Sequence, residues 1–253
     1  MTPDLRPRIL LLHGIGGGRA IWGDAGSNTV GALRAAGFDA EAIDFPGYGG
    51  RVGEPALGAM VQAVLDAGLP GQPSVLVGHS MGGLVAQEVV ARFPQAVQGL
   101  VLACTSASFG KADGDWQARF VAERLAPLDA GLGMAGMADQ LVPGLVGPQA
   151  PAAARQAARD VMARVPEATY RVALRAIAAF DRRQALQQIR VPALLLAAEH
   201  DRTAPPEVMQ RMAARIAGSE YQCLPGAGHI ANVEVPAAFN AAVLSFLQRH
   251  FVG

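Results

Sequence analysis

The sequence predicts an α/β fold, a mainly parallel sheet covered by helices, with one further helical segment inserted late in the chain. Three observations carry this. Short, nearly unbroken apolar runs alternate with longer runs of helical period, which is the pattern of parallel βα units. That alternation breaks once, between Cys104 and Val191. And the 253 residues, 51% hydrophobic and 17% charged, suffice for one sizeable core.

The strand candidates in chain order are Arg8–Leu12, Ala40–Asp44, Ser74–Val77, Gln98–Cys104, Ala193–Ala198 and Tyr221–Leu224. Each is apolar almost throughout, as a strand buried on both faces must be. Helices are expected over Thr29–Ala36, Leu57–Ala67, Met81–Phe93, Pro206–Ala217 and Pro236–Phe251, several of them bounded by Gly or Pro. Between Cys104 and Val191 only helical pattern is present, over Asp115–Leu125, Met134–Leu141, Ala152–Val165 and Glu167–Phe180. That is more chain than a βα connection needs. Residues 107–190 are therefore expected to form a helical lid on a core made of 1–106 and 191–253. A helical appendage of structural purpose alone is the other reading.

Composition excludes more than it selects. Lys+Arg and Asp+Glu are both 21, so the formal net charge is zero, and no basic run offers a nucleic-acid partner. Met1–Pro7 lacks the architecture of a signal peptide. The longest apolar runs, Ile9–Leu12 and Val191–Ala198, are too short to cross a bilayer, so no membrane partner is expected and the chain reads as cytoplasmic. Cys104 and Cys223 lie in strand-like stretches, without metal-ligand spacing, and are expected as buried reduced thiols. No metal or organic cofactor is implied. The expected partner is a small molecule, for a monomer or homodimer.

The chemistry-bearing signal is Gly78-His79-Ser80-Met81-Gly82, placed between a buried strand and a helix. GxSxG alone is a weak motif. In this position it becomes strong, because a sharp elbow lifts the hydroxyl above the sheet edge and the helix N-terminus faces the same point. A serine hydroxyl needs a base. Of five histidines, His229 fits best: it lies in Gly226-Ala227-Gly228-His229, after the last strand, where an α/β sheet gathers its reactive groups. His79 should point away from the hydroxyl, His13 follows the first strand, His200 adjoins a carboxylate, and His250 is on the terminal helix. The orienting acid follows Ala193–Ala198. Asp201 is preferred because it lies past the strand end, with Glu199 as the alternative. Oxyanion donors are expected at the backbone N–H of Met81 and of Ile15, in the loop His13-Gly14-Ile15-Gly16-Gly17-Gly18. That loop has neither the GxGxxG spacing nor the P-loop lysine of a nucleotide site.

Taken together, His13-Gly14-Ile15-Gly16 with Trp22, Asp44-Phe45-Pro46-Gly47-Tyr48-Gly49, Gly78–Gly82, Asp201-Arg202-Thr203 and Gly228-His229 resemble successive blocks of the α/β-hydrolase superfamily of serine hydrolases. The resemblance covers almost the whole chain outside the lid. It implies the triad Ser80, Asp201 and His229, and a cap after the sixth strand of the full fold. Only seven residues precede Arg8, where that fold opens with two strands, so a trimmed sheet of about six strands is expected, without the antiparallel edge. Cys104-Thr105-Ser106, Val191-Pro192 and Asn232-Val233-Glu234-Val235-Pro236 with Phe239 are similar to 3-oxoadipate enol-lactonases. In the lid, Met137–Leu141 stands where those enzymes carry an Arg-Trp-Phe stretch. The substrate pocket is expected at Gly14, Trp22, Met134, Met137, Leu141 and Ile230. The expected activity is hydrolysis of a small carboxylic ester or lactone through an acyl-enzyme. The alternatives are C–C hydrolysis of a vinylogous diketone and a ligand sensor with little turnover.

Overall fold

The computed structural model describes residues 6–23, 27–69, 71–109 and 115–252; the first five residues of the polar N-terminal stretch and residues 110–114 of the inserted segment lie outside the described residues. Six strands form one sheet: β1 (Arg8–Leu12), β2 (Asp39–Ile43), β3 (Ser74–His79), β4 (Val97–Ala103), β5 (Ala193–Ala198) and β6 (Glu220–Leu224). Their order is β2-β1-β3-β4-β5-β6, and every pair is parallel. The described strands thus form one six-stranded parallel sheet, in the number and direction expected. Every residue of β3 and β5 is buried, which is why both read as unbroken apolar runs.

The helices are α1 (Thr29–Ala35), α2 (Leu57–Ala67), α3 (Met81–Arg92), α4 (Trp116–Asp129), α5 (Gly133–Leu145), α6 (Ala152–Ala163), α7 (Glu167–Ala178), α8 (Pro206–Ala213), α9 (Ala231–Glu234) and α10 (Pro236–Phe251). α10 shows why such sequences fold as helices on a sheet. Its buried residues Phe239, Ala242, Val243, Phe246 and Leu247 recur at helical spacing, and each large apolar side chain among them contributes about 1.5–3 kcal/mol on burial.

The boundaries differ from the sequence reading at places with physical causes. α4 and α5 run past Leu125 and Leu141 and contain Pro127 and Pro143. Both prolines lie within the last turn, so each removes one i→i−4 bond close to the helix end and only a few residues follow the break. α8 stops at Ala213 rather than Ala217, because Arg215 and Ile216 make tighter bonds to Met212 and Ala213 three residues back. β4 ends at Ala103, since Cys104 turns the chain with φ of 46°.

Two features of this topology position a site. The chain runs from β1 outward to β2 and then returns past β1 to β3, so the strand order reverses between β1 and β3, and loops at their carboxyl ends border a crevice. Helices α4–α7 leave the sheet after β4 on a short paired stem. Phe109 N donates to Phe180 O (3.1 Å) and Arg182 N to Ala107 O (2.7 Å). Arg182 also forks onto the buried Glu88 of α3 (2.6 and 2.9 Å), fixing the returning chain to the core.

Helix and sheet approach each other very closely where α3 begins. A Cβ at Gly82 would meet the Leu12 carbonyl and side chain at the end of β1, and one at Gly78 would lie 2.5 Å from Gly82 O. We predict that Gly82→Ala lowers the unfolding free energy by more than about 3 kcal/mol in urea denaturation. Gly58→Ala in α2, where a Cβ meets nothing within 4 Å, should stay within about 1 kcal/mol of wild type. Equal effects of the two substitutions would contradict this packing.

Candidate active site

Ser80 sits between β3 and α3 with φ of 52° and ψ of −117°, a conformation that costs a non-glycine residue about 1–3 kcal/mol unless its surroundings impose it. Here they do. Ser80 N donates to Ala103 O in the neighbouring strand (3.0 Å). Its carbonyl accepts the Thr105 hydroxyl (2.8 Å) and the Gly83 amide (2.9 Å). The side chain is thereby presented at the carboxyl end of β3.

His229 reaches it from the loop after β6. Its Nε2 lies 2.9 Å from Ser80 Oγ and its Nδ1 2.8 Å from Asp201 Oδ2. Because a carboxylate only accepts, Nδ1–H donates to Asp201 and Nε2 is left to accept the serine proton. The other Asp201 oxygen accepts the amides of Thr203 (2.8 Å) and Ala204 (2.9 Å), so the buried carboxylate has both oxygens bonded. Burial alone favours its neutral form, but the His229 charge, the His229 hydrogen bond and the two amides outweigh that and hold its pKa below the usual range. Glu199, the alternative acid, instead accepts the Gly226 amide at 2.8 Å with its side chain half exposed. It fastens the β6 loop and does not reach the imidazole.

A second carboxylate holds the histidine loop, and the sequence reading assigned it no role. Glu234 is buried and accepts three amides, from Gly147 (2.6 Å), Gly228 (2.9 Å) and Ile230 (3.0 Å). His229 N also donates to Leu145 O (2.6 Å). Both sides of His229 are therefore tied to one carboxylate and to the end of α5. The sequence places Glu234 only within the block Asn232–Pro236, since nothing local shows that it folds back onto its own loop or reaches Gly147.

Two further histidines beside the site, His79 and His13, are buried and held by backbone groups. His79 is not the base: its Nε2–H donates to His229 O (2.7 Å), with Trp22 edge-on to its ring, while the hydrogen bond to the Ser80 hydroxyl comes from His229. Burial, with the neighbouring His229 charge, lowers its pKa to about 4. His13 donates from Nδ1 to Gly14 O (2.8 Å) and accepts the Phe45 amide at Nε2 (3.2 Å); burial brings its pKa down to about 4 as well. Gly14 O also accepts Gly17 N (3.0 Å), and the Tyr48 hydroxyl donates to Ile15 O (3.0 Å). In a trans peptide C=O and N–H point oppositely, so the bonds to Gly14 O turn the Ile15 N–H away from those donors. Met81 is the first residue of α3, and its N–H lacks an intrahelical acceptor.

Above Ser80 lies a cavity of about 100 Å³. Gly14, Ile15, His79, Ser80 and His229 line one part, and Phe120, Leu141, Met162, Tyr170 and Leu174 of α4–α7 another. Of the expected pocket residues, Gly14, Leu141 and Ile230 line it. Trp22, Met134 and Met137 do not: Trp22 is fully buried against His79 and Phe239, and the two methionines face inward from α5 into the core. Their apolar character drew them into packing instead. Cys104 is buried and Cys223 half-buried, both free. Among the described residues no three His, Cys, Asp or Glu side chains are grouped to hold a metal, and no helix is long and apolar enough to cross a membrane.

Comparison with known proteins matches residues 9–242 to the alpha/beta hydrolase family. The chain is 32% identical over 193 residues to 3-oxoadipate enol-lactonase 2 of Acinetobacter baylyi, covering 76% of this chain and 70% of that protein. It is 37% identical over 110 residues to a pimeloyl-acyl-carrier protein methyl ester esterase of Klebsiella pneumoniae; the match takes in 43% of this chain and spans only 40% of that esterase's length. The crystal structure of the enol-lactonase from Burkholderia xenovorans LB400 superimposes with a TM-score of 0.82 at 26% identity, covering 96% of this chain and 91% of that one.

The three amide bonds to Glu234 generate a test. Glu234→Gln keeps the shape but sets an NH₂ group against at least one backbone N–H. Stability should fall by about 1.5–3 kcal/mol, and hydrolytic turnover by about tenfold as His229 loosens. Thermal unfolding and initial rates below the transition check both. An unchanged rate would mean that the clamp does not position His229.

Proposed function

The chain belongs to the alpha/beta hydrolase family, and we propose that within it the protein is a serine hydrolase that cleaves a small carboxylic ester or lactone through an acyl-enzyme. The observation that carries this is the hydrogen-bonded series Asp201–His229–Ser80, at 2.8 and 2.9 Å, opening on the cavity beneath α4–α7. The names of the esterase and enol-lactonase relatives support ester bonds as the target.

In this reading His229 Nε2 takes the Ser80 proton as Oγ bonds to the substrate carbonyl carbon. The carbonyl electron pair moves onto oxygen, where the N–H groups of Ile15 and Met81 receive the charge. Collapse expels the alkoxide or enolate, which leaves with the proton from His229. Water then attacks the acyl carbon, giving its proton to His229, and the carboxylic acid departs as Ser80 recovers its proton. Asp201 keeps the imidazole in the reactive tautomer and stabilises the imidazolium. The helices α4–α7 serve as the lid, excluding water and limiting substrate size.

Turnover of p-nitrophenyl esters, enol-lactones and vinylogous diketones tests the reaction class; preference for the diketones would replace ester cleavage by C–C hydrolysis, and acylation without turnover would indicate a sensor. On whichever ester is turned over, Asp201→Asn should lower kcat by about 10³–10⁴-fold, and Glu199→Gln by less than about tenfold, since Glu199 binds only Gly226. The reverse order would place Glu199 in the triad.

A further inference from the structure

The loop that carries the Ile15 N–H cannot hold its shape by local preference. Within residues 13–18 four positions are glycine, Gly14, Gly16, Gly17 and Gly18, and a glycine backbone turns freely where a side chain would obstruct it. Bonds fix it instead. The peptide before Ile15 is held through Gly14 O, which accepts His13 Nδ1–H and Gly17 N. The peptide after it is held through Ile15 O, which accepts the Tyr48 hydroxyl (3.0 Å) from the loop after β2. Two further bonds join the same two loops: Phe45 N donates to His13 Nε2 (3.2 Å) and Arg19 N to Asp44 Oδ1 (2.7 Å).

Tyr48 is placed for that bond and not for substrate. It is 1% exposed, its ring stands edge-on to His13 with 4.6 Å between centres, and it is not among the residues lining the cavity. Burial, with Tyr170 beside it, raises its phenol far above the ordinary value, so the hydroxyl remains a donor. The loop bearing Tyr48 is tied in turn to the helices over the cavity. Thr169 of α7 donates its hydroxyl to Gly47 O (3.1 Å), and a Cβ at Gly47 would lie only 2.7 Å from Thr169 Oγ1. α7 thus bears on Gly47, Gly47 adjoins Tyr48, and Tyr48 holds Ile15 O.

We propose that Tyr48 is a positioning residue that aims the Ile15 N–H at the developing oxyanion, and that Thr169 of α7 acts on this donor through Tyr48. The inference rests on the acyl-enzyme reading and names the residues that preorganise its oxyanion donor. Such a donor acts on charge that appears only in the transition state. Loss of its aim therefore lowers kcat and leaves KM unmoved. By this series of bonds α7 becomes part of the catalytic geometry as well as a cover over the cavity.

Turnover of p-nitrophenyl acetate and inhibition by a trifluoromethyl ketone test this together, below each variant's thermal transition. As Ser80 Oγ bonds to the ketone carbon, the serine proton passes to His229 and the carbonyl electron pair moves onto oxygen. The adduct's affinity therefore reads the oxyanion donors directly. Tyr48→Phe should lower kcat by about 10–30-fold with KM within about twofold, and weaken the ketone by the same factor. Tyr221→Phe, which removes a hydroxyl bonded to Pro206 O (3.3 Å) outside the site, should change neither. Thr169→Val should lower kcat by about three- to tenfold, and the double variant should match Tyr48→Phe within about twofold, because both act on one series of bonds. A kcat unchanged by Tyr48→Phe, or lowered without the matching loss of ketone affinity, would overturn the Tyr48 assignment. Full additivity of the two substitutions would overturn the link to α7. No ester turnover by the wild-type protein would remove the acyl-enzyme reading and this inference with it, whereas normal wild-type turnover matched by Tyr48→Phe would remove this inference alone.

Discussion

Everything about this site depends on how closely the start of α3 approaches the ends of β1 and β3. The Ser80 backbone is held in a conformation that side chains avoid, and it stays there because Ala103, Thr105 and Gly83 bond it from three directions. The approach is possible because Gly78 and Gly82 place no atoms between helix and sheet. One crowded turn thus projects the Ser80 hydroxyl and presents the Met81 N–H beside it.

The partners are set by a second constraint, that buried charge must be fully bonded. Asp201 and Glu234 sit in the core around His229, and each has its oxygens filled by backbone amides or the imidazole. Asp201 fixes the tautomer. Glu234 fixes the loop and reaches across to Gly147 beyond α5, so the helices over the cavity and the histidine share a fastening. His13 and His79, neutral because burial penalises their charge, act as rigid connectors in the same shell.

The sheet was legible because buried parallel strands have no polar face to hide their pattern, as β3 and β5 show. The Ser, acid and His positions were legible because each falls at a strand's carboxyl end, where turn glycines mark the loop. Glycine-marked loops say nothing about contacts across the fold, so the Glu234 clamp and the Thr105 bond stayed hidden. The pocket was only half legible. Met134 and Met137 have the same helical spacing as a cavity wall, yet they turn to the core, and Arg124 carries no local sign that it lines the cavity. Helix ends in the inserted segment were misread where Pro127 and Pro143 fall in last turns that tolerate them.

The central claim is that the His229-bonded hydroxyl of Ser80 is the group that attacks, among all serines of the chain. Labelling with a fluorophosphonate, followed by mass mapping of the peptides, tests it most directly, because the reagent bonds only to an activated hydroxyl. The account predicts a single adduct on the peptide carrying Ser80, absent in the His229→Ala protein. An adduct on another serine, or none on the folded wild-type protein, would contradict it.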